Sequence, residues 1–186
     1  MKKQLLFFGE KSGVRSIERT SKLTALMDVR FKGNKEGLLG LRVDRAFEEP
    51  TLRPQNLLDA RGNLPDEQTV NNEGVNGVYR NADGHVGGDV WSKRSPWVAL
   101  SAEKEGEIIT ISIFDKKSNP YYPAWSHARG YGLFAVNNLG GKGMHPNEED
   151  VEINLSPGES ISFTHLIIIG GDMSDEELKQ IADDFN

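Results

Sequence analysis

Short apolar runs, each closed by glycine, proline or asparagine, follow one another along most of this chain. The clearest is Glu107–Asp115 (EIITISIFD), in which three isoleucines alternate with threonine and serine. Alternation with a period of two is typical of a strand that buries one face. The other runs are Gln4–Phe8, Ile17–Val29, Leu38–Val43, Trp97–Ser101, Trp125–Ala135, Val151–Leu155 and Ser160–Ile169. Because no helices alternate with these runs, the pattern predicts an all-β fold, an antiparallel sandwich or barrel.

The C-terminal end has a different pattern. Ser174 and Glu177 have the spacing of a capping box, which marks the start of a helix. The residues after them, Leu178, Ile181 and Ala182, supply an apolar stripe at helical spacing. The sequence therefore predicts one short C-terminal helix.

The region from about residue 46 to 95 is rich in proline, glycine, asparagine and acidic residues, and it shows little periodicity. A stretch of this composition predicts long surface loops, which in compact domains are commonly functional. With 186 residues in all, the chain fits a single domain that spans residues 1–186 and carries these loops.

Composition narrows the classes of partner and chemistry. The net charge of −6 and the lack of basic runs argue against a nucleic-acid partner. The chain has no cysteine, which excludes disulfides, thiolate chemistry and cysteine-based metal sites. No run approaches the roughly 20 apolar residues of a membrane span, and the start, MKKQLLFF, is too short in apolar residues for a signal sequence. We expect a soluble chain without a membrane partner. The compartment and oligomeric state stay open, and a periplasmic or secreted location would follow if a signal peptide preceded this chain.

The segment around residues 125–132 is the most informative for function. If it is extended, Trp125, His127, Arg129 and Tyr131 share one face, and the opposite face carries only serine, alanine and glycine. Aromatic rings pack on apolar C–H surfaces, arginine donates a fork of hydrogen bonds, and histidine exchanges protons near neutral pH. These groups suit a sugar in a solvent-reachable hollow, and a carboxylated sugar would use the arginine best.

A glycine-rich run, HVGGDVWSKRSPW, adds further candidates to this face: His85, Asp89, Trp91, Arg94 and Trp97. His85 and Asp89, together with His127, could ligate a metal, but no recognised ligand spacing supports such a site. We therefore predict no metal and no cofactor.

Three carboxylates are candidates to work beside the histidine: Glu36, Asp89 and Asp115. Asp115 ends the isoleucine-rich strand, where it could pair with Arg129 or Arg94. His165 lies within an apolar strand, so we expect it to be a hydrogen-bonded core histidine. The alternative for the whole cluster is a buried structural network in which every polar atom has a partner.

Three segments resemble a known family: NKEGLLGLRV, VWSKRSPWVALSAE and above all ISIFDKKSNPYYPAWSHARGYGLFAVN, residues 111–137. They are similar to the bacterial DUF6807 family, catalogued as methane oxygenase PmoA-like, with the resemblance running from about residue 34 to 138. The resemblance implies a β-sandwich, of which the galactose-mutarotase-like supersandwich is one form, in bacteria that degrade polysaccharides. Family members usually carry further strands before the part that this chain resembles. The chain is therefore similar to the C-terminal portion of a longer member. The catalogue name does not give the function, because a membrane methane monooxygenase needs transmembrane helices. Carried over by position, the motif residues include Asn119, Pro120 and Gly132.

Residues and resemblance together predict a carbohydrate-active or carbohydrate-binding protein whose partner is a small molecule or an oligosaccharide. His127 is the candidate general acid or base, with Arg129 and Asp115 as the other catalytic candidates. The ligand-binding candidates are Trp91, Arg94, Trp97, Asn119, Trp125, Tyr131 and His85. A non-catalytic sugar-binding module and a structural interaction module are the alternatives.

Overall fold

A computed structural model describes residues 2–11, 13–52, 63 and 70–186. Across these residues the chain forms eleven strands and one α-helix. The strands are β1 (Lys2–Lys11), β2 (Val14–Thr24), β3 (Val29–Lys32), β4 (Leu39–Arg42), β5 (Val78–Asn81), β6 (Trp97–Lys104), β7 (Glu107–Asp115), β8 (Trp125–Arg129), β9 (Leu133–Asn137), β10 (Glu152–Leu155) and β11 (Ser160–Gly170). The helix α1 spans Asp175–Phe185, and 3-10 helices lie at Arg45–Phe47, Gly87–Val90 and Gly141–Gly143.

The strands form three antiparallel sheets. The largest has the order β1-β2-β11-β7-β6-β5, the second has the order β4-β9-β8, and a two-stranded sheet joins β10 to β3. In the largest sheet, β11 pairs with β2 from Ser160↔Thr24 to Ile169↔Arg15, so it joins the N-terminal hairpin to the central strands. The all-β antiparallel architecture predicted from the sequence is confirmed.

The main core lies between the six-stranded and the three-stranded sheet, which makes the domain a sandwich. Tyr79 of β5 and Phe134 of β9 meet edge to face across it, with ring centroids 5.4 Å apart. Both side chains are completely buried, and burying a large apolar side chain stabilises a fold by about 1.5–3 kcal/mol. Other members of this core are Leu39, Phe47, Val90, Val98, Leu100, Ile113, Ala128, Val136 and Ile167.

The helix α1 covers the opposite face of the six-stranded sheet. Its capping box is present, since Glu177 donates its backbone N–H to Ser174 Oγ at 3.2 Å and the Ser174 N–H donates to Glu177 Oε2 at 2.8 Å. Leu178 and Ala182 pack on the sheet. The predicted C-terminal helix and its start are therefore confirmed. Among the described residues, no helix has the length and apolarity needed to cross a membrane.

Two predictions of local structure were wrong. The strand predicted over Trp125–Ala135 is a hairpin of β8 and β9, in which Arg129 pairs with Leu133. Gly132 has φ +78° in the turn, a conformation that glycine adopts without steric cost. In the predicted loop region 46–95, residues 78–81 form β5, although residues 53–62 and 64–69 of this region lie outside the described residues.

Candidate functional site

The three-stranded sheet has one face in the core and one face outside it. Ala128 of β8 packs in the core between the sheets. Since successive side chains of a strand point to opposite faces, Trp125, His127 and Arg129 lie on the outer face. The shared parity of these three residues agrees with the sequence analysis, but Tyr131 lies in the turn after β8, where 56% of it is exposed.

The middle of the outer face carries small residues. His127 is opposite Ala135 on β9, and Ala135 is opposite Gly40 on β4. Gly40 is exposed, whereas Ala135 and His127 are each 3% exposed, so of these three residues only Gly40 is open to solvent. We call the surface formed by Gly40, Trp91, His127 and Arg129 the outer shelf.

Trp91 reaches the outer shelf from a neighbouring element. The 3-10 helix Gly87–Val90 buries Val90 completely in the core, and the chain then places Trp91 on the outer side of β8. The indole contacts the His127 ring edge to face, with centroids 4.9 Å apart. The Arg129 guanidinium carbon lies 3.5 Å from the centre of the same indole. The Trp91 ring therefore contacts both the imidazole and the guanidinium of β8.

The Arg129 guanidinium has no acceptor among the described residues. Within the described part of the chain it has no ion pair and no hydrogen bond, and its Nε is buried without an acceptor. Leaving a buried donor unsatisfied costs about 1–3 kcal/mol. The outer end of the guanidinium carries the other N–H donors, and the two oxygens of a carboxylate would match its planar fork.

His127 is kept neutral by its surroundings. Burial and then the Arg129 charge lower the pKa of His127, while Glu36 and a hydrogen bond with the Gly37 backbone act in the opposite direction. Only 3% of the residue is exposed. A neutral imidazole can accept a proton or a hydrogen bond, so the arrangement suits a base better than an acid.

Trp125 and Arg94 lie beside the outer shelf but are committed to the fold. The Arg94 guanidinium carbon is 4.4 Å from the centre of the Trp125 ring. Arg94 also donates to the carbonyls of Pro123, Tyr121 and Tyr122 at 2.9–3.1 Å. Since Trp125 is 2% exposed, this pair anchors the segment that precedes β8.

Asp115 and Asn119 lie in a buried polar network apart from the outer shelf. Asp115 accepts hydrogen bonds from Asn119 Nδ2 at 2.6 Å, the Ala124 N–H at 2.8 Å and Asn138 Nδ2 at 2.9 Å. Burial raises the pKa of Asp115 to about 6 in spite of these donors. The arginine partner suggested for Asp115 is therefore replaced by amide donors.

His165 completes this network. Its Nε2 lies 3.1 Å from Asn138 Oδ1 and 3.4 Å from Asp115 Oδ1, and burial lowers the pKa of His165 to about 3. The prediction of a hydrogen-bonded core histidine is confirmed.

Two further candidates lie elsewhere. Trp97 is on the helix side of the six-stranded sheet, where it packs with Met173 and Leu178 and is 3% exposed. His85 follows β5, with its Nδ1 3.2 Å from Asn81 Oδ1. The structure thus gathers Trp91, His127 and Arg129 on the outer shelf and leaves these two away from it.

Glu49 also lies close to the outer shelf, although its sequence pattern did not mark it as a candidate. Its backbone N–H donates to the Gly130 carbonyl at 2.9 Å. A Cβ atom at Gly130 would lie 3.5 Å from Glu49 Oε2, and one at Gly87 would lie 3.5 Å from Oε1. Burial raises the pKa of Glu49. This half-buried carboxylate therefore lies between the turn that follows Arg129 and the 3-10 helix that precedes Trp91. Its position in a proline-rich stretch without periodicity gave no signal of this.

A protein-family model matches nearly the whole length of the chain. The model of DUF6807, a family of unknown function, matches residues 2–183. The chain belongs to this family. The matched range begins before residue 34 and ends after residue 138, the bounds within which the motifs resemble the family. Neither the curated proteins nor the solved structures compared with the chain gave a match. In this DUF6807 chain no three described His, Asp or Glu side chains lie together as a metal site would require.

Proposed function

We propose that the outer shelf binds a carbohydrate that carries a carboxylate. The observation that supports this most is the Arg129 guanidinium, which lies on the Trp91 ring without an acceptor among the described residues. A cation that no described residue neutralises attracts an anion at close range, even on an acidic protein of net charge −6. Stacking on the indole fixes the plane of the guanidinium before the ligand arrives, which reduces the entropy lost on binding.

The rest of the outer shelf suits a sugar ring. Gly40 leaves exposed backbone on β4, and the exposed Tyr131 ring in the adjoining turn offers an apolar surface with a hydroxyl tip. Sugars present C–H faces to aromatic rings and hydroxyls to polar groups. An acidic sugar therefore matches both the charge and the surface of the outer shelf.

A reaction at this site is the second candidate function, and it is favoured by the neutral His127. As a base, the imidazole would accept a proton from the carbon or hydroxyl that faces it. Glu36, whose charge acts on the pKa of His127, would be the carboxylate partner. This assignment replaces Asp115, whose oxygens already accept three hydrogen bonds. Binding without turnover needs only Trp91 and Arg129.

Thermal unfolding in the presence of uronates and of the matching neutral sugars tests the proposal. A ligand that binds only the native state raises the melting temperature. We expect galacturonate or glucuronate to raise it, and galactose and glucose to have a smaller effect. The Arg129→Gln variant should lose the response to uronates. Arg30→Gln, the same charge change on β3, should keep it. If no uronate shifts the wild-type protein, or if both variants respond alike, the proposal fails.

A further inference from the structure

The outer face carries a second guanidinium in line with the first. Arg129 on β8 is opposite Leu133 on β9, and Leu133 is opposite Arg42 on β4. Leu39 and Leu41 of β4 pack on the core, so by alternation Arg42 lies on the outer face with Arg129. We call these three residues the arginine row. Two strand spacings separate its ends, which is about 10 Å between backbones.

The described part of the chain offers Arg42 no partner. Arg42 is exposed, and within the described residues its guanidinium makes no ion pair or hydrogen bond. The carboxylates nearest to it in sequence are already paired. Asp44 binds Lys104 at 2.8 Å, and Glu48 lies 3.8 Å from Arg45. Neither end of the arginine row is therefore neutralised by a described residue, although the protein as a whole is acidic.

The residue between the two cations is apolar. Leu133 is half-buried, and its Cδ1 would lie 3.7 Å from a Cβ atom at Gly40. The arginine row thus offers a cation, an apolar surface and a second cation across three strands. A chain of acidic sugars has the complementary pattern, because carboxylates at intervals are joined by rings with C–H faces.

We infer that the arginine row binds an oligomer of acidic sugars that crosses the strands from Arg129 to Arg42. The inference rests on the proposed function, because Arg129 holds the first carboxylate in both. It adds that a second sugar unit contacts Arg42, so that the protein prefers oligouronates to single uronates. Arg42 is a specificity residue for ligand length.

Isothermal titration with galacturonate and with trigalacturonate tests the inference. Arg42→Gln should weaken the binding of trigalacturonate by about fivefold, as the loss of one exposed charge-assisted contact would, and leave the affinity for galacturonate unchanged. Arg30→Gln removes the same charge from the two-stranded sheet and should change neither affinity. Because Arg42 is exposed, the variant should remain folded, which its circular dichroism spectrum checks.

The outcomes separate the inference from the proposed function. If Arg42→Gln weakens trigalacturonate no more than Arg30→Gln does, or weakens both sugars equally, the arginine row is not a site for a second sugar. If Arg129→Gln then still abolishes the binding of both sugars, the proposed function stands without it. If the wild-type protein binds neither sugar, both are overturned.

Discussion

The Arg129 guanidinium lies 3.5 Å from the centre of the Trp91 ring, and this contact joins two elements that are distant in the chain. Trp91 follows a 3-10 helix whose Val90 is fixed in the core, and Arg129 ends the edge strand of the three-stranded sheet. Both partners are therefore held by rigid structure. A cation held on a ring, with no acceptor among the described residues, has the preorganised geometry that the proposed binding of an anion needs.

Trp91 and Trp97, which lie on different faces of the fold, should respond differently to truncation to alanine. Trp91→Ala should weaken uronate binding by about tenfold and cost only about 1 kcal/mol of stability, since the side chain is partly exposed. Trp97→Ala should cost about 3–5 kcal/mol, because it opens a cavity under α1. Chemical denaturation and ligand titration measure both effects. Equal losses of stability would contradict the positions given to the two rings.

Asp115 should behave as a structural residue. In Asp115→Asn an amide group would face three donors. We expect the free energy of unfolding at pH 7 to fall by about 2–3 kcal/mol. Asp183→Asn on the exposed surface of α1 is the matched control and should be nearly neutral. Urea denaturation compares the two variants. A stable Asp115→Asn protein that has lost only its activity would return Asp115 to the list of catalytic candidates.

His165 should make the fold sensitive to acid. Its pKa falls from 6.5 to about 3 on folding, so between these values the unfolded chain binds a proton that the native protein does not. The stability that it contributes is complete above pH 6.5 and is lost as the pH falls toward 3, by at most about 1.4 kcal/mol per pH unit.

Asp115 acts in the opposite direction in part of this range. Its pKa rises from 3.8 to about 6 on folding, so its contribution is lost as the pH rises between these values. Comparison of wild-type protein with His165→Gln isolates the histidine. The free energy of unfolding should fall less steeply with acid in the variant. Parallel profiles for the two proteins would show that His165 does not titrate with unfolding.

The backbone that positions Glu49 should not tolerate a side chain at Gly77. A Cβ atom there would lie 2.2 Å from the Phe47 carbonyl oxygen, so Gly77→Ala must displace the 3-10 helix Arg45–Phe47. We expect Gly77→Ala to lower the free energy of unfolding by at least about 2 kcal/mol. Gly88→Ala, where no atom lies within 4 Å, should change stability by less than about 0.5 kcal/mol. Thermal unfolding of both variants tests this, and a stable Gly77→Ala protein would contradict the close contact.

Local patterns in the sequence were enough to predict much of the fold. The alternating isoleucines of β7 face the core as expected, and Ser174 caps α1. The β8–β9 turn was missed because Gly130 and Gly132 look like small residues of one strand face. Only the structure shows that Gly132 has a positive φ.

The site was predictable only in part, for a similar reason. The alternation of β8 is local, so the shared face of His127 and Arg129 could be predicted. Contacts between distant segments could not. The donors around Asp115 come from Asn119, Ala124 and Asn138, and nothing in the residue types indicated that they converge.

The most direct test of the account compares galacturonate with its methyl ester in wild-type protein and in Arg129→Gln. Esterification removes the ligand's charge and keeps its ring, so the four affinities form a cycle that isolates the contact between carboxylate and guanidinium. We predict that the wild-type protein prefers the free acid by about tenfold and that the variant shows no preference. An undiminished preference in Arg129→Gln, or none in the wild-type protein, would contradict the assignment of Arg129 as the carboxylate-binding residue.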